Sequence, residues 1–188
     1  FRLPTPEERQ TARRFLGLEN GRRALLFFGR DNHIKGADLF ASALEQLPQG
    51  AAVICVASPR EVVSMIAQHA KVISTGIVAD PRPFYWAADA LAMPSRHEGT
   101  PLTLLEARAT GLPAIVSTIP AFEDVASKDE GVIVSDHLDP RAFARSLMEP
   151  LERRPISADA RENISLDAWC QKVFAHYAMS PLGLSAIS

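Results

Sequence analysis

Cysteine is nearly absent from this chain, with only Cys55 and Cys170 among 188 residues. One lies in an apolar strand run and the other in a late helical stretch, so they show neither metal-type spacing nor the disulfide framework of a small secreted domain. The five histidines are scattered, and no metal is expected. No apolar run approaches the ~20 residues of a membrane span, and no signal-peptide pattern is present. The expectation is a reduced, cytoplasmic setting. A charge excess of one sign is lacking too, since 20 Lys and Arg stand against 22 Asp and Glu. With no basic stripe interleaved with aromatics, a nucleic-acid partner is not expected. The loop Gly29–Gly36 reads G-R-D-N-H-I-K-G and is not the G-x-G-x-x-G of a nicotinamide dehydrogenase. No repeat, low-complexity tract or internal linker interrupts the chain.

What is present is an ordinary globular composition, 47% hydrophobic and 22% charged, enough for one domain with a sizeable core. The charge is uneven, because residues 1–35 carry eight Lys and Arg against four Asp and Glu. Arg9, Arg13, Arg14, Arg22 and Arg23 read as a solvated helix face and the turn after it. Thr5-Pro6-Glu7-Glu8 is a capping box that opens a helix ending at Gly17. Ala24–Phe28 and Ala51–Val56 are continuous apolar strands of the kind found in a parallel sheet covered on both faces. Between them lies a helix with Leu39, Phe40, Ala43, Leu44 and Leu47.

Ser58-Pro59-Arg60-Glu61 reads as a second capping box before a helix carrying Val62, Val63 and Ile66. Val72-Ile73 is a short third strand. Asp80-Pro81 caps a helix in which Phe84, Tyr85 and Trp86 read as core. Strands at Ala90–Met93, Ala114–Val116 and Val132–Val134 alternate with helices at Pro101–Thr110, Pro120–Ala126 and Asp139–Leu147. Further helical stretches cover Ala158–Asn163 and Leu166–Tyr177. This alternation predicts an α/β domain, a doubly wound parallel sheet of about six strands, over residues 1–179, with 180–188 as a frayed tail.

The chain is organised around Met93–Pro113, M-P-S-R-H-E-G-T-P-L-T-L-L-E-A-R-A-T-G-L-P. Thr100 is expected as N-cap, Pro101 at the first helical position and Gly111 as the stop. Side chains on a helix lean toward its N-terminus, so Glu106 points back toward the loop that holds Glu98. Thr103, Glu106 and Thr110 form a polar stripe, and Leu102, Leu105 and Ala109 an apolar one expected to face the sheet. Free N–H groups of the first turn, at Thr100, Leu102 and Thr103, make an anion site. Backbone donors for an anion beside two carboxylates suit a ligand with both phosphate and sugar. In the strand order 3-2-1-4-5-6, the Arg30–Lys35 loop after strand one would face the Glu98 loop after strand four. Two cations would then flank a helix N-terminus, the arrangement that neutralises a diphosphate.

At these residues the chain resembles the retaining GT-B glycosyltransferases of family four, in their C-terminal, Rossmann-like, nucleotide-sugar-binding half. The likeness is carried by Leu26-Phe27-Phe28-Gly29-Arg30 with Lys35-Gly36, by Gly76–Ser95 (G-x-V-x-D…A-A-D-A-L-A-M-P-S), by Glu98–Ala107 and by Gly111–Val116. Glu98 and Glu106 match the family's E-x7-E motif. The resemblance implies a retaining glycosyltransferase that moves a hexose from a nucleotide-sugar, a UDP-sugar above others, to a glycan or lipid-linked acceptor. It assigns Arg30 and Lys35 to the diphosphate and the leaving group, and Glu98 to the transferred sugar, these three being the catalytic set. Glu106 would bind the ribose hydroxyls, the amides of Gly99, Thr100, Leu102 and Thr103 the phosphates, and Gly76 with Ile77 would border the base. The family uses no metal on the diphosphate, so helix end and cations take that role, and no cofactor is implied. Thr100 stands where the family has an aromatic after Glu-Gly, a departure in the sugar pocket.

The chain begins without Met, and Phe1–Pro4 read as the tail of something upstream. The acceptor-binding N-terminal domain of a GT-B enzyme is expected to lie outside this chain, along with any peripheral membrane contact. Alone, the fragment is expected to be inactive. Two alternatives stay open: a GT-B relative such as a nucleotide-sugar epimerase, and a non-catalytic nucleotide-binding module.

Overall fold

In the computed structural model, the residues described are 1–18, 21–29, 33–47, 51–99 and 101–149. Helices expected at 158–163 and 166–177, the tail and the domain's end at 179 lie outside them, as do Arg30 and Thr100. The elements run α1 (Pro6–Phe15), β1 (Ala24–Phe28), α2 (Ala37–Leu44), β2 (Ala52–Val56), α3 (Arg60–Ile66), β3 (Lys71–Thr75) and α4 (Arg82–Ala87). They continue with β4 (Ala90–Met93), α5 (Leu102–Ala109), β5 (Ala114–Ser117), α6 (Pro120–Ala126), β6 (Val132–Ser135) and α7 (Pro140–Met148). The strands form one parallel sheet in the order β3-β2-β1-β4-β5-β6. The assumed order is the one found.

Strand β1 shows why the sheet is covered on both sides. Side chains alternate along a strand, so Phe27 and Phe28 leave opposite faces. Phe27 stacks on Phe40 of α2 at 5.2 Å, and Phe28 stacks on Tyr85 of α4 at 5.3 Å. One core joins Leu25, Phe27, Val53, Cys55, Ala92 and Ile115 to α2, α3 and α7 through Phe40, Val62, Ile66, Phe143 and Leu147. Burial pushes the Cys55 thiol up to about 12, so it behaves as a small apolar side chain. Strand β3, at the sheet edge, is partly exposed along its length. Its polar ends, Lys71 and Ser74-Thr75, hide it from a search for apolar runs.

Local chemistry sets most boundaries. The Thr5–Glu8 capping box is present in both directions, and Asp139 caps α7 through the amides of Arg141 and Ala142. The expected box at Ser58 does not form. Pro59 is extended and is itself the N-cap, which leaves Ser58 one residue too early, bonded to the carbonyl of Val56. Helix α5 differs in the same way: Pro101, not Thr100, occupies the N-cap position.

Two arginines of α1 correct another expectation, whereas Arg14 is exposed as expected. Arg9 donates to the carbonyls of Trp86 and Ala88 and to Asp89, while Arg13 donates to Ala87 and Arg22 carbonyls and to Asp89. They are fixed, not solvated, because the end of α4 brings its free carbonyls against α1. Asp89 also accepts from the Ala24 amide, which ties the start of β1 to β4. Among the described residues, no helix is long and apolar enough to cross a membrane.

Candidate functional site

β1 separates β2 from β4, so the chain's winding direction reverses between β1 and β4, and their carboxyl ends open a crevice. Two loops border it, one before α2 and one before α5. Gly36 adopts φ 66°, and a Cβ there would lie 2.0 Å from the Pro94 carbonyl oxygen. Only glycine lets the loops approach so closely. Arg96 straps them together. Its amide donates to Ile34, its guanidinium to the His33 carbonyl, and both terminal nitrogens to Asp38 at 2.8 and 2.6 Å. The Arg96 guanidinium in turn holds the Asp38 carboxyl below its ordinary range. Neither Arg96 nor Gly36's contact with Pro94 carries a local sequence signal.

The strap places Lys35 on Glu98. Lys35 Nζ donates to Glu98 Oε1 at 2.7 Å, and Ser95 Oγ donates to the same oxygen at 2.8 Å. Ser95 is buried, and its carbonyl accepts from the hydroxyl of Ser117 at the end of β5. Glu98 Oε2 accepts no bond from a described residue. The structure therefore brings Lys35 and Glu98 together as an ion pair, with Glu98 the more buried member.

Glu106 is held differently. Tyr85 Oη donates to Glu106 Oε2 at 2.7 Å, and Oε1 accepts no bond from a described residue. Burial first, and then this bond, push the phenol well above its ordinary value, which keeps Tyr85 protonated. The reading of Tyr85 as core is right about its ring and misses its hydroxyl, which is the group that orients Glu106.

Helix α5 carries a second correction. Its buried side chains are Leu104, Ala107 and Arg108, whereas Leu102 is 55% exposed and Leu105 and Ala109 are partly exposed. The expected stripe is rotated because the buried face includes a charge. Arg108 donates to both oxygens of Asp129 at 2.7 and 3.0 Å and to the Leu112 carbonyl. A count of apolar residues skips it. The stop is as expected: Gly111 at φ 70° lets the Leu112 amide reach back to Ala107. No side chain caps the start of α5, where a helix leaves its first amides free, here those of Leu102 and Thr103.

Next to Lys35 lies a cavity of about 320 Å³ lined by Phe28, Val56, Ala57, Ile77, Val78, Pro81, Met93 and Thr103, among others. Ile77 is 85% exposed in the structure. Gly76 lies on open space at the end of β3, and so does Gly99 beside Glu98. Lys35, Ile77 and Thr103 thus share one cavity wall, with Glu98 on Lys35. Among the described residues, no three His, Cys, Asp or Glu side chains gather as metal ligands.

This combination of a doubly wound parallel sheet with a cation, two carboxylates and an apolar cleft at the switch point belongs to the α/β domains that take ligands at strand carboxyl ends. The chain belongs to the glycosyl transferases group 1 family, whose model matches residues 22–153. It is 28% identical to the lipopolysaccharide core biosynthesis mannosyltransferase LpsB of Rhizobium meliloti, over 86% of this chain and 51% of that protein. It is 32% identical to the D-inositol 3-phosphate glycosyltransferase of Xylanimonas cellulosilytica, over 77% of this chain and 38% of that protein. The chain thus spans about half of the first of these relatives and well under half of the second.

Among solved structures, WaaG, a glycosyltransferase involved in lipopolysaccharide biosynthesis, superposes with a TM-score of 0.72 at 21% identity, over 95% of this chain and 52% of that one. Anabaena HepE in complex with UDP-glucose gives 0.74 at 18% identity, over 92% and 54%. The fold is that of GT-B glycosyltransferase structures.

Proposed function

We propose that this chain is the C-terminal, donor-binding part of a retaining family-four glycosyltransferase that moves a hexose from a UDP-sugar to a glycan or lipid-linked acceptor. The observation that carries the reading is the Lys35–Glu98 pair at the mouth of the apolar cleft. A nucleotide-sugar has three parts, and the crevice offers three matching surfaces. The base suits the cleft by Ile77 and Val78. The diphosphate suits Lys35 and the free first amides of α5 at Leu102 and Thr103, with no metal required, and Arg30 and the amides of Gly99 and Thr100 are assigned to it as well. The hydroxyls of ribose and sugar suit the open oxygens of Glu106 and Glu98. Negative charge develops on the departing diphosphate as the glycosidic bond breaks, and cations fixed beside it stabilise that charge. The relatives' names support the reading, since they are a mannosyltransferase, an inositol-phosphate glycosyltransferase and a structure with UDP-glucose bound.

Acceptor contacts belong to a preceding domain outside residues 1–179, and the full protein works in the cytoplasm. The test is a thermal-shift panel of UDP, GDP, ADP and their sugars on the 188-residue chain. Ligand at 100 times its dissociation constant should stabilise it by about 2.7 kcal/mol, with UDP-sugars most effective. The isolated chain should transfer no sugar. Absence of a shift with every nucleotide would defeat the reading, and glycoside formation by this chain alone would defeat its two-domain part.

A further inference from the structure

We propose that Tyr85 is a positioning residue that aims Glu106 at the ribose of the bound nucleotide and so sets a preference for ribonucleotides over 2′-deoxyribonucleotides. This rests on the nucleotide-sugar reading above. Glu106 lies on the partly exposed side of α5, where a glutamate ordinarily samples several rotamers. Here one carboxylate oxygen is fixed by Tyr85 Oη at 2.7 Å. The phenol itself has little freedom. It is fully buried, its ring stacks on Phe28 at 5.3 Å, and the ring of Phe1 meets it edge-on at 5.7 Å.

The same anchor touches the proposed base side of the crevice. Phe28 ends β1 and lines the cavity, and so does Pro81, the N-cap of α4, the helix that carries Tyr85. One rigid aromatic unit therefore supports both the cleft wall and the carboxylate. Fixing Oε2 leaves Oε1, whose two lone pairs can accept the paired hydroxyls of a ribose. A carboxylate already held in place loses less freedom on binding than a mobile one. Burial favours the neutral phenol, so Tyr85 keeps the proton it donates to Glu106. Removing the ribose 2′-hydroxyl leaves Glu106 a poorer partner only while Glu106 is held there, so the ribose preference reports the hold.

The experiment is isothermal titration of the 188-residue chain with UDP and 2′-deoxyUDP in the wild type, Tyr85→Phe, Glu106→Gln and the double variant. The wild type should favour UDP by at least about tenfold, equivalent to ~1.4 kcal/mol. Tyr85→Phe keeps the ring stack and should lose most of that preference, with little added loss in the Glu106→Gln background. A purely structural role would weaken both ligands equally and leave the ratio intact, and that result overturns the proposal. A wild type that binds UDP with no ribose preference overturns it too while leaving nucleotide binding standing. If UDP, GDP and ADP all fail to bind, the functional reading falls with it.

A second measurement needs no variant at position 85. The chain has two tyrosines, so ring-carbon labelling with assignment by Tyr177→Phe isolates the Tyr85 signal. UDP should shift that signal more than 2′-deoxyUDP does. Equal shifts from the two ligands overturn the proposal even if Tyr85→Phe does not fold.

Discussion

Two pairs of carboxylates, one at each end of the sheet, are used in opposite ways. At the amino end, Asp89 accepts from Arg9 on one oxygen and from Arg13 and the Ala24 amide on the other. Asp129, just before β6, spends both oxygens on Arg108 and on the Gly131 amide. At the carboxyl end, among the described residues, Glu98 takes Lys35 and Ser95 on one oxygen alone, and Glu106 takes Tyr85 on one oxygen alone. Satisfied carboxylates hold elements together and have nothing left to offer a ligand. Half-satisfied ones are oriented and still able to accept. Occupancy of the second oxygen separates fold from site here better than charge or burial does, since Glu98 is nearly as buried as Asp129.

The comparison breaks first at Asp129 if it is wrong. Arg108 is 1% exposed in its side chain, and removing Asp129 takes away the carboxylate that balances its buried charge. Asp129→Ala should cost about 3–5 kcal/mol of stability in urea unfolding. At concentrations where the variant remains folded, its affinity for UDP should match the wild type. A loss of affinity at unchanged stability would place Asp129 in the site and end the distinction.

At the other end the expected effects fall on ligands. Lys35→Ala should weaken UDP by about 10–150-fold, the loss of a charge-assisted bond worth roughly 1.5–3 kcal/mol, and leave uridine unchanged. Glu98→Gln is expected to act in the opposite direction on UDP. The diphosphate competes with Glu98 for the Lys35 ammonium, and a part-exposed pair of this kind contributes about 0.2–1 kcal/mol. Releasing Lys35 should therefore tighten UDP by up to about fivefold while abolishing any added affinity from the sugar. Equal losses of UDP and uridine in Lys35→Ala, or weaker UDP in Glu98→Gln, would show that the pair does not face the phosphates.

Much of this contrast was legible in the residues and part was not. Apolar runs gave five of the six strands nearly to the residue, and the edge strand β3 was shortened because its ends are polar. Caps with a local signature, at Thr5 and Asp139, were readable, and so was the stop at Gly111. Glu98, Glu106 and Lys35 could be picked out by motif. Their holders could not, because Lys35 lies 63 residues from Glu98 and Tyr85 lies 21 from Glu106. Pairings of that range leave no periodicity. The arginines misled for a related reason: Arg9, Arg13 and Arg108 look like surface residues until their partners are known.

The last prediction concerns a polar group with no partner at the carboxyl end, and it has the smallest expected effect. His137 follows β6, is 9% exposed, and its Nδ1 is buried with no hydrogen bond among the described residues. Burial lowers its pKa from the usual 6.5 or so, and the Arg96 charge pushes the same way against Asp136. The sign follows from linkage. A depressed pKa means the unfolded chain binds the proton more readily than the folded one. Stability is full above about pH 6.5, falls as the pH drops below that value, and stops falling once the pH passes below the folded pKa. His137→Gln should flatten this part of the profile without changing stability's pH dependence above pH 7. Arg96→Gln should flatten it partly, because one of the two causes is removed, while also loosening the strap to Asp38. Thermal midpoints between pH 7.5 and 5.5 decide the matter. A wild type that gains stability on acidification relative to His137→Gln would mean that His137 is protonated in the folded chain and has found an acceptor. The carboxyl end would then be as fully paired at that residue as the amino end is at Asp89.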